Sequence, residues 1–309
     1  MNMQGYYSED VLKYLIDLVS FNSENPPGKE EAAALYVKNV MEGLGAEVTL
    51  DYVEPGRPNV IARMKFGDGR RRILLNSHLD VVCSGDNWTK KPFEPIIQDD
   101  KLYGRGSTDA KGSLAAMIAG IKRIHTNSEN EYDGEIILTA VVGEETGGLG
   151  TKSLIKKGLM ADAAIVGEPT NLEVITLQKG SYRRKILFYG KSAHSSTPHK
   201  GINAISYAAR FVVEVEKLND SLQSKVHPQL GSGCISSTMI NGGKQISIIP
   251  DFCEISIDRR LLPGETVEEC DKQLDIILKD TCQGIRYEKI DLSLDKYPVG
   301  ISETEEIVK

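Results

Sequence analysis

The residues best equipped for chemistry in this 309-residue chain are one histidine and a set of carboxylates. His78 and Asp80 close the run Ile73-Leu74-Leu75-Asn76-Ser77-His78-Leu79-Asp80. Residues two apart in an extended chain share a face, so this imidazole and this carboxylate lie side by side. A carboxylate there settles which ring nitrogen carries the proton and leaves the other free to bind a metal or accept a proton. Asp109 stands in Gly104-Arg105-Gly106-Ser107-Thr108-Asp109-Ala110-Lys111-Gly112, just ahead of Leu114, Met117, Ile118 and Ile121 at helical spacing. Free N–H groups at a helix start favour a negative charge, and an ordinary capping aspartate is the alternative. Glu144 and Glu145 follow the apolar run 135–142, and Glu168 follows the apolar run 163–166. Ligands of open α/β sheets bind at the C-terminal ends of the strands. Acidic groups gathered there repel one another unless a cation sits among them. A solvated pair of glutamates needs no buried strand to deliver it, so the pattern points to a divalent metal site.

The elements that must position these groups are readable from periodicity. Residues 8–21 and 30–44 carry amphipathic helical stripes, the first broken by Asn25-Pro26-Pro27-Gly28 and the second stopped by Gly45. Strands are predicted over 47–53 and 59–66, then the central strand ending at His78, a loop through Trp88, Pro92 and Phe93, and the helix after Asp109. Gly147-Gly148-Leu149-Gly150-Thr151-Lys152 glances at a phosphate-binding loop, but Thr151 stands where that pattern needs glycine. It is read as a turn into a helix over 152–160. Beyond residue 180 the order is strand 182–189, helix 203–218, strands 234–240 and 252–261, helix 265–280 and strand 286–294. That β-α-β-β-α-β order is the order of a ferredoxin-like sandwich. The expected domains are therefore 1–179, 180–294 as a second, smaller domain, and a return segment 295–309.

Composition narrows the partners. A net charge of -7 argues against nucleic acid or an anionic membrane, which need a basic face. The N-terminal residues 1–19 lack the basic start and apolar run of a signal peptide, and nothing there spans a membrane. The 5 cysteines are scattered without Cys-x-x-Cys, as expected of a cytoplasmic protein without a disulfide framework.

Taken together, Ser77-His78-Leu79-Asp80, Gly104-Arg105-Gly106 with Asp109-Ala110-Lys111-Gly112, Gly143-Glu144-Glu145 and Gly167-Glu168-Pro169-Thr170 resemble the M20 metallopeptidase family, the group of acetylornithine deacetylase and succinyl-diaminopimelate desuccinylase. Ala193-His194-Ser195-Ser196, Asn203-Ala204 and Asp258-Arg259-Arg260-Leu261-Leu262-Pro263-Gly264 extend the likeness over nearly the whole chain. The resemblance implies an α/β fold: a mixed-sheet, zinc-peptidase-like catalytic domain with the ferredoxin-like domain as an inserted lid through which a homodimer forms. It implies two Zn2+ ions, with Co2+ or Mn2+ as substitutes. His78 and Glu168 would bind one ion, Glu145 the other, and Asp109 both. Asp80 would orient His78, and Glu144 would be the general base, taking a proton from water and passing it to the leaving amine. His194 from the lid would help hold the developing oxyanion. Arg260 and Asn241 would hold a substrate carboxylate, leaving Arg259 on a solvated strand face. His125, His199 and His227 are read as ordinary polar residues.

The expected activity is hydrolysis of the amide bond of N-acyl amino acids. A dipeptidase or carboxypeptidase of the same family is the nearest alternative. The family continues past the lid to a final histidine ligand, whereas no histidine follows His227 here. A shortened, catalytically impaired metal-binding chain is therefore the expectation from another class.

Overall fold

The computed structural model describes residues 9–126 and 132–309. Its internal contacts separate into two units, Met1–Glu173 and Val174–Lys309.

The first unit holds α1 (Glu9–Ser20), α2 (Glu31–Gly43), β1 (Glu47–Glu54), β2 (Arg57–Phe66), β3 (Arg72–His78), β4 (Ile96–Gln98), β5 (Lys101–Tyr103), α3 (Lys111–Thr126), β6 (Gly134–Val141), α4 (Leu149–Lys156) and β7 (Ala163–Val166). Its main sheet has the order β1-β2-β6-β3-β7. The β1–β2 and β2–β6 pairs are antiparallel, while β3 runs parallel to both β6 and β7. Tyr14 and Leu18 of α1, Val37 and Met41 of α2, and Leu114 and Ile118 of α3 pack with Val60, Ala62, Leu138 and Ala140 of the sheet. Apolar residues at helical spacing thus meet alternate residues of the strands, and their burial is what drives the layers together. The parallel trio β6-β3-β7 is the feature that matters for chemistry. Its C-terminal ends emerge at one edge, carrying the loops that follow His78, Val141 and Val166.

The second unit holds β8 (Leu177–Gln178), β9 (Gly180–Tyr189), β10 (Ala193–His194), α5 (Ala204–Gln223), β11 (Val226–His227), β12 (Gly231–Ser232), β13 (Cys234–Gly242), β14 (Ile248–Ile249), β15 (Phe252–Leu261), α6 (Val267–Thr281), β16 (Arg286–Asp291) and β17 (Val299–Gly300). The four-stranded sheet β13-β15-β9-β16 is antiparallel throughout, and alternate residues of β9 and β15 are buried with α5 and α6. The order β9-α5-β13-β15-α6-β16 is that of the expected sandwich.

Several local expectations are corrected. The helix expected over 152–160 runs from Leu149 to Lys156, because the turn at Gly147-Gly148 starts it early and Gly158, with φ 78°, ends it. The last strand stops at Asp291 rather than at residue 294. The loop after Trp88 contains the hairpin β4–β5, turned by Asp99 and Asp100 at φ 51° and 58°. Its three-residue strands are too short to show periodicity. The expected start of the first helix, Ser8, lies outside the described residues, as does the rest of 1–8. No described helix is long and apolar enough to cross a membrane.

Candidate metal centre

The site begins at the end of β3. His78 is 1% exposed, and its Nδ1 lies 2.8 Å from the backbone carbonyl of Asp80. A carbonyl only accepts, so Nδ1–H donates and the neutral ring presents Nε2 as a bare acceptor. That nitrogen faces Asp109 Oδ1 at 3.1 Å and Glu168 Oε1 at 3.9 Å. Two acceptors at 3.1 Å repel unless a proton or a metal ion stands between them. Without metal the proton takes that place. Burial opposes the imidazolium, but the charges of Asp80 and Glu168, with the bond to the Asp80 carbonyl, outweigh it and push His78 up to about 9.

Asp80 is fully buried and works on both sides of the site. Its Oδ1 is 3.6 Å from His78 Nδ1, beyond hydrogen-bond reach, so the backbone carbonyl rather than the carboxylate makes the short contact to the ring. The carboxylate instead accepts from the backbone N–H of Glu144 at 3.0 Å and of Glu145 at 3.1 Å, and from Asn25 Nδ2 at 2.9 Å. Burial would raise its pKa, but the hydrogen bonds from Asn25 and the Glu144 N–H, with the charge of His78, hold it below the ordinary range. Asp80 therefore sets the course of the loop after β6 as well as the charge beside His78.

The other ligand candidates arrive on neighbouring loops. Asp109 lies in the turn before α3, its side chain 52% exposed, and the Asp109–Ala110 peptide is cis. Ser77 Oγ donates towards the carbonyls of Ala110 at 3.1 Å and Gly167 at 3.2 Å, tying the segments that carry Asp109 and Glu168 to the strand that carries His78. Gly167 is required by space: a Cβ there would sit 2.6 Å from Ser113 Cβ of α3. Ligand atoms of His78, Asp109 and Glu145 all lie within 4.8 Å of one another. Burial, then the charge of Asp109, raises the pKa of Glu145, and burial raises that of Glu168 while Glu144, Asp109 and Glu145 add repulsion. Crowded carboxylates that resist ionisation, beside an imidazole whose Nε2 faces them, form a donor set that suits a divalent cation.

His78, Asp80, Asp109, Glu144, Glu145 and Glu168 thus belong to one rim of the first unit. His194, Asn241 and Arg260 belong to the second. His194 is exposed, with Nδ1 at 2.8 Å from Ser196 Oγ. Arg260 lies on the face of β15 away from the helices and pairs with Asp258 at 2.9 Å. Asn241 is opposite Glu254, which stands on that same face. Glu254 and Arg260 are six residues apart, ~20 Å along the strand, so Asn241 and Arg260 of one chain are not brought together. Arg259 is a correction: it is 2% exposed, not solvated, because Glu265 at 2.6 Å and Gln273 supply partners on the helical side.

Sequence reasoning missed Asn25, which bonds Asp80 and also Thr146 Oγ1 at 2.7 Å, and Ser23, whose hydroxyl donates to the carbonyl of Leu79 at 2.7 Å. It also missed Lys111, fully buried and donating to the carbonyl of Phe21 at 2.8 Å. A lysine inside a glycine-rich stretch that starts an apolar helix was the available signal for the last.

Comparison with known proteins agrees with this architecture. A probable succinyl-diaminopimelate desuccinylase of Staphylococcus epidermidis is 32% identical over 283 residues, covering 82% of this chain and 68% of that protein. N-formyl-4-amino-5-aminomethyl-2-methylpyrimidine deformylase of Halalkalibacterium halodurans is 29% identical, covering 86% and 66%. The crystal structure of an M20 family metallo-carboxypeptidase from Sulfolobus solfataricus superposes with a TM-score of 0.78 over 97% of this chain and 82% of that one, at 21% identity. The sequence profile of Peptidase family M20/M25/M40 matches residues 74–308, from the centre of β3 almost to the end. The chain belongs to that family of metal-dependent hydrolases of amide and peptide bonds.

Proposed function

We propose that this chain is a zinc-dependent amidohydrolase that cleaves the amide bond of N-acyl amino acids. The observation that carries the reading is His78, its Nδ1 engaged by the Asp80 carbonyl and its Nε2 held 3.1 Å from Asp109, amid carboxylates whose pKa values are raised. His78 and Glu168 would hold one cation, Glu145 a second, and Asp109 both; Co2+ and Mn2+ suit the same donors. A divalent ion in such a site lowers the pKa of a bound water to about 7 and polarises a carbonyl.

The chain's own groups do the rest. Glu144 takes the proton of the attacking water and delivers it to the leaving amine. Asp80 keeps His78 oriented and, through the N–H groups of Glu144 and Glu145, keeps the base next to the ligands. His194 stabilises the oxyanion, and Arg260 or Asn241 takes one carboxylate of the substrate. The name of the Staphylococcus epidermidis relative supports an acyl amino acid, and the carboxypeptidase supports the second reading, a short peptide. A homodimer through the second unit belongs to the same proposal. In its support, β13 is an edge strand with Met239 and Ile240 66% and 59% exposed. A cytoplasmic location accords with five free cysteines.

The test is metal content together with turnover of N-acetyl and N-succinyl amino acids and dipeptides, for the parent and for Glu144→Ala. The variant is expected to bind metal normally and to lose 10²–10⁴-fold in kcat, on the order expected of a general base. Full activity in Glu144→Ala would end this mechanism. Light scattering reads the oligomeric state.

A further inference from the structure

Beside the metal ligands lies a cleft of about 210 Å³ lined by Val82, Gly104, Arg105, Ser107, Asp109 and Glu145. Arg105 is its cationic side chain. Arg57 and Arg63 of the same unit are each neutralised by a carboxylate, Arg57 by Glu30 at 2.6 Å and Arg63 by Glu135 at 3.2 Å. Arg105 makes no ion pair among the described residues. Its guanidinium lies over the Trp88 ring, 5.2 Å from the centroid, and its Nη2 donates only long bonds to the carbonyls of Cys83 at 3.4 Å and Ser84 at 3.5 Å. Its Nε is buried without a partner. The described residues thus give this guanidinium a ring face and weak carbonyl contacts but no anion to balance its charge.

The flanking glycines explain how the side chain comes to be there. A Cβ at Gly104 would collide with Val19, and one at Gly106, where φ is +84°, would meet Val81 at 2.6 Å. With the backbone pressed on α1 and on the segment after His78, the arginine between the glycines stands at the cleft that holds Asp109 and Glu145.

We infer that Arg105 is a specificity-determining residue that binds a carboxylate of the substrate next to the metal site. A planar guanidinium with unused donors matches a carboxylate's two oxygens. The carboxylate could sit on the acyl group, as in a succinyl amide, or be the α-carboxylate of the amino acid. Arg105 would then select dicarboxylic acyl groups or free amino-acid ends respectively. The inference rests on the amidohydrolase reading for the word substrate, but not for the binding of a carboxylate.

The experiment is a cycle between enzyme and substrate. N-succinyl and N-acetyl amino acids, each as free acid and as α-amide, are compared in the parent, Arg105→Gln and Arg105→Lys. Removing the carboxylate that Arg105 holds should cost the parent about 10²-fold in kcat/KM and Arg105→Gln less than 10-fold, with Arg105→Lys between them. The deletion that shows this coupling identifies which carboxylate is held. Losses in Arg105→Gln that are equal across the four substrates would make Arg105 a prop for Trp88 and the 83–84 backbone, and overturn the inference. Thermal melts separate misfolding of Arg105→Gln from the result with Arg105→Lys. In parallel, calorimetry of zinc-loaded protein with succinate and with its neutral diamide needs no turnover. Succinate binding that weakens about 10-fold or more in both variants sustains the inference even if no amide is hydrolysed, whereas unchanged binding in a hydrolysing enzyme with no substrate coupling removes it alone. Absence of both turnover and Arg105-dependent binding removes both proposals.

Discussion

In the second unit Arg184, its side chain 3% exposed, meets Asp271 at 3.1 Å, Asp291 at 3.2 Å and Asp295 at 2.8 Å. Lys289 adds bonds to Asp271 at 2.9 Å and Asp275 at 2.6 Å, and the Tyr182 hydroxyl donates to Asp271 at 2.6 Å. In the first unit Asp109, Glu145 and Glu168 gather around the single imidazole of His78. Both places concentrate carboxylates, yet their protonation is driven in opposite directions. Burial works against Asp271, but hydrogen bonds from Arg184, Tyr182 and Lys289 carry its pKa down to about 2. Glu145 and Glu168 are raised instead. Where the chain supplies the countercharge the cluster is a fastener, here joining β9, α6 and the 291–295 segment. Where it withholds the countercharge, the cluster is a socket for a cation.

This contrast can be broken most sharply at Asp80, the carboxylate of the site that the chain does satisfy. Asp80→Ala strands the N–H groups of Glu144 and Glu145 and the amide of Asn25, and should cost about 3–4 kcal/mol in denaturant unfolding. A loss below ~1 kcal/mol would mean that Asp80 does not organise the loop after β6. Next comes the fastener itself. Arg184→Met leaves Asp271 and Asp295 facing each other; since both keep some solvent, about 2–3 kcal/mol is expected, less than for a fully buried pair.

Acid should unpick the fastener selectively. The folded-state pKa of Asp271 is depressed, to about 2 from 3.8, so the stability it contributes is complete above 3.8 and is lost as pH falls through about 2. Allowing for partial exposure, this limb is worth about 1–2 kcal/mol, and it should vanish in Asp271→Asn when unfolding is followed from pH 5 to pH 2. The smallest effect separates socket from fastener. Glu168→Gln in chelator-treated protein should change stability by less than ~1 kcal/mol, neutral or favourable, because it removes repulsion; in zinc-loaded protein it should weaken metal binding. A large loss in the metal-free protein would place Glu168 among the structural carboxylates.

Much of this was legible in the chain. The strands ending at His78, Val141 and Val166 stand out as apolar runs, and Ala163–Val166 and Phe252–Leu261 keep their expected limits. The acidic groups at their tips could be assigned to one rim because parallel neighbours must end together. Asn25 was not legible, since it reads as part of a Pro/Gly break and its partners Asp80 and Thr146 are 55 and 121 residues away. Arg259 misled for a related reason. Charge alone suggests solvent, and only the packing of α6 reveals that Glu265 and Gln273 are there to pair with it.

Residue type and period, which act over a few neighbours, determined the elements, the fold class and the family to which this chain belongs. The tertiary structure decided which polar groups find each other: that the backbone of Asp80 holds the His78 ring while its carboxylate steers the glutamate loop, that Asn241 and Arg260 stand apart, and that Arg105 keeps donors unspent. Hydrogen bonds and ion pairs act over about 3 Å, and only the folded chain brings residues so distant in sequence within that reach.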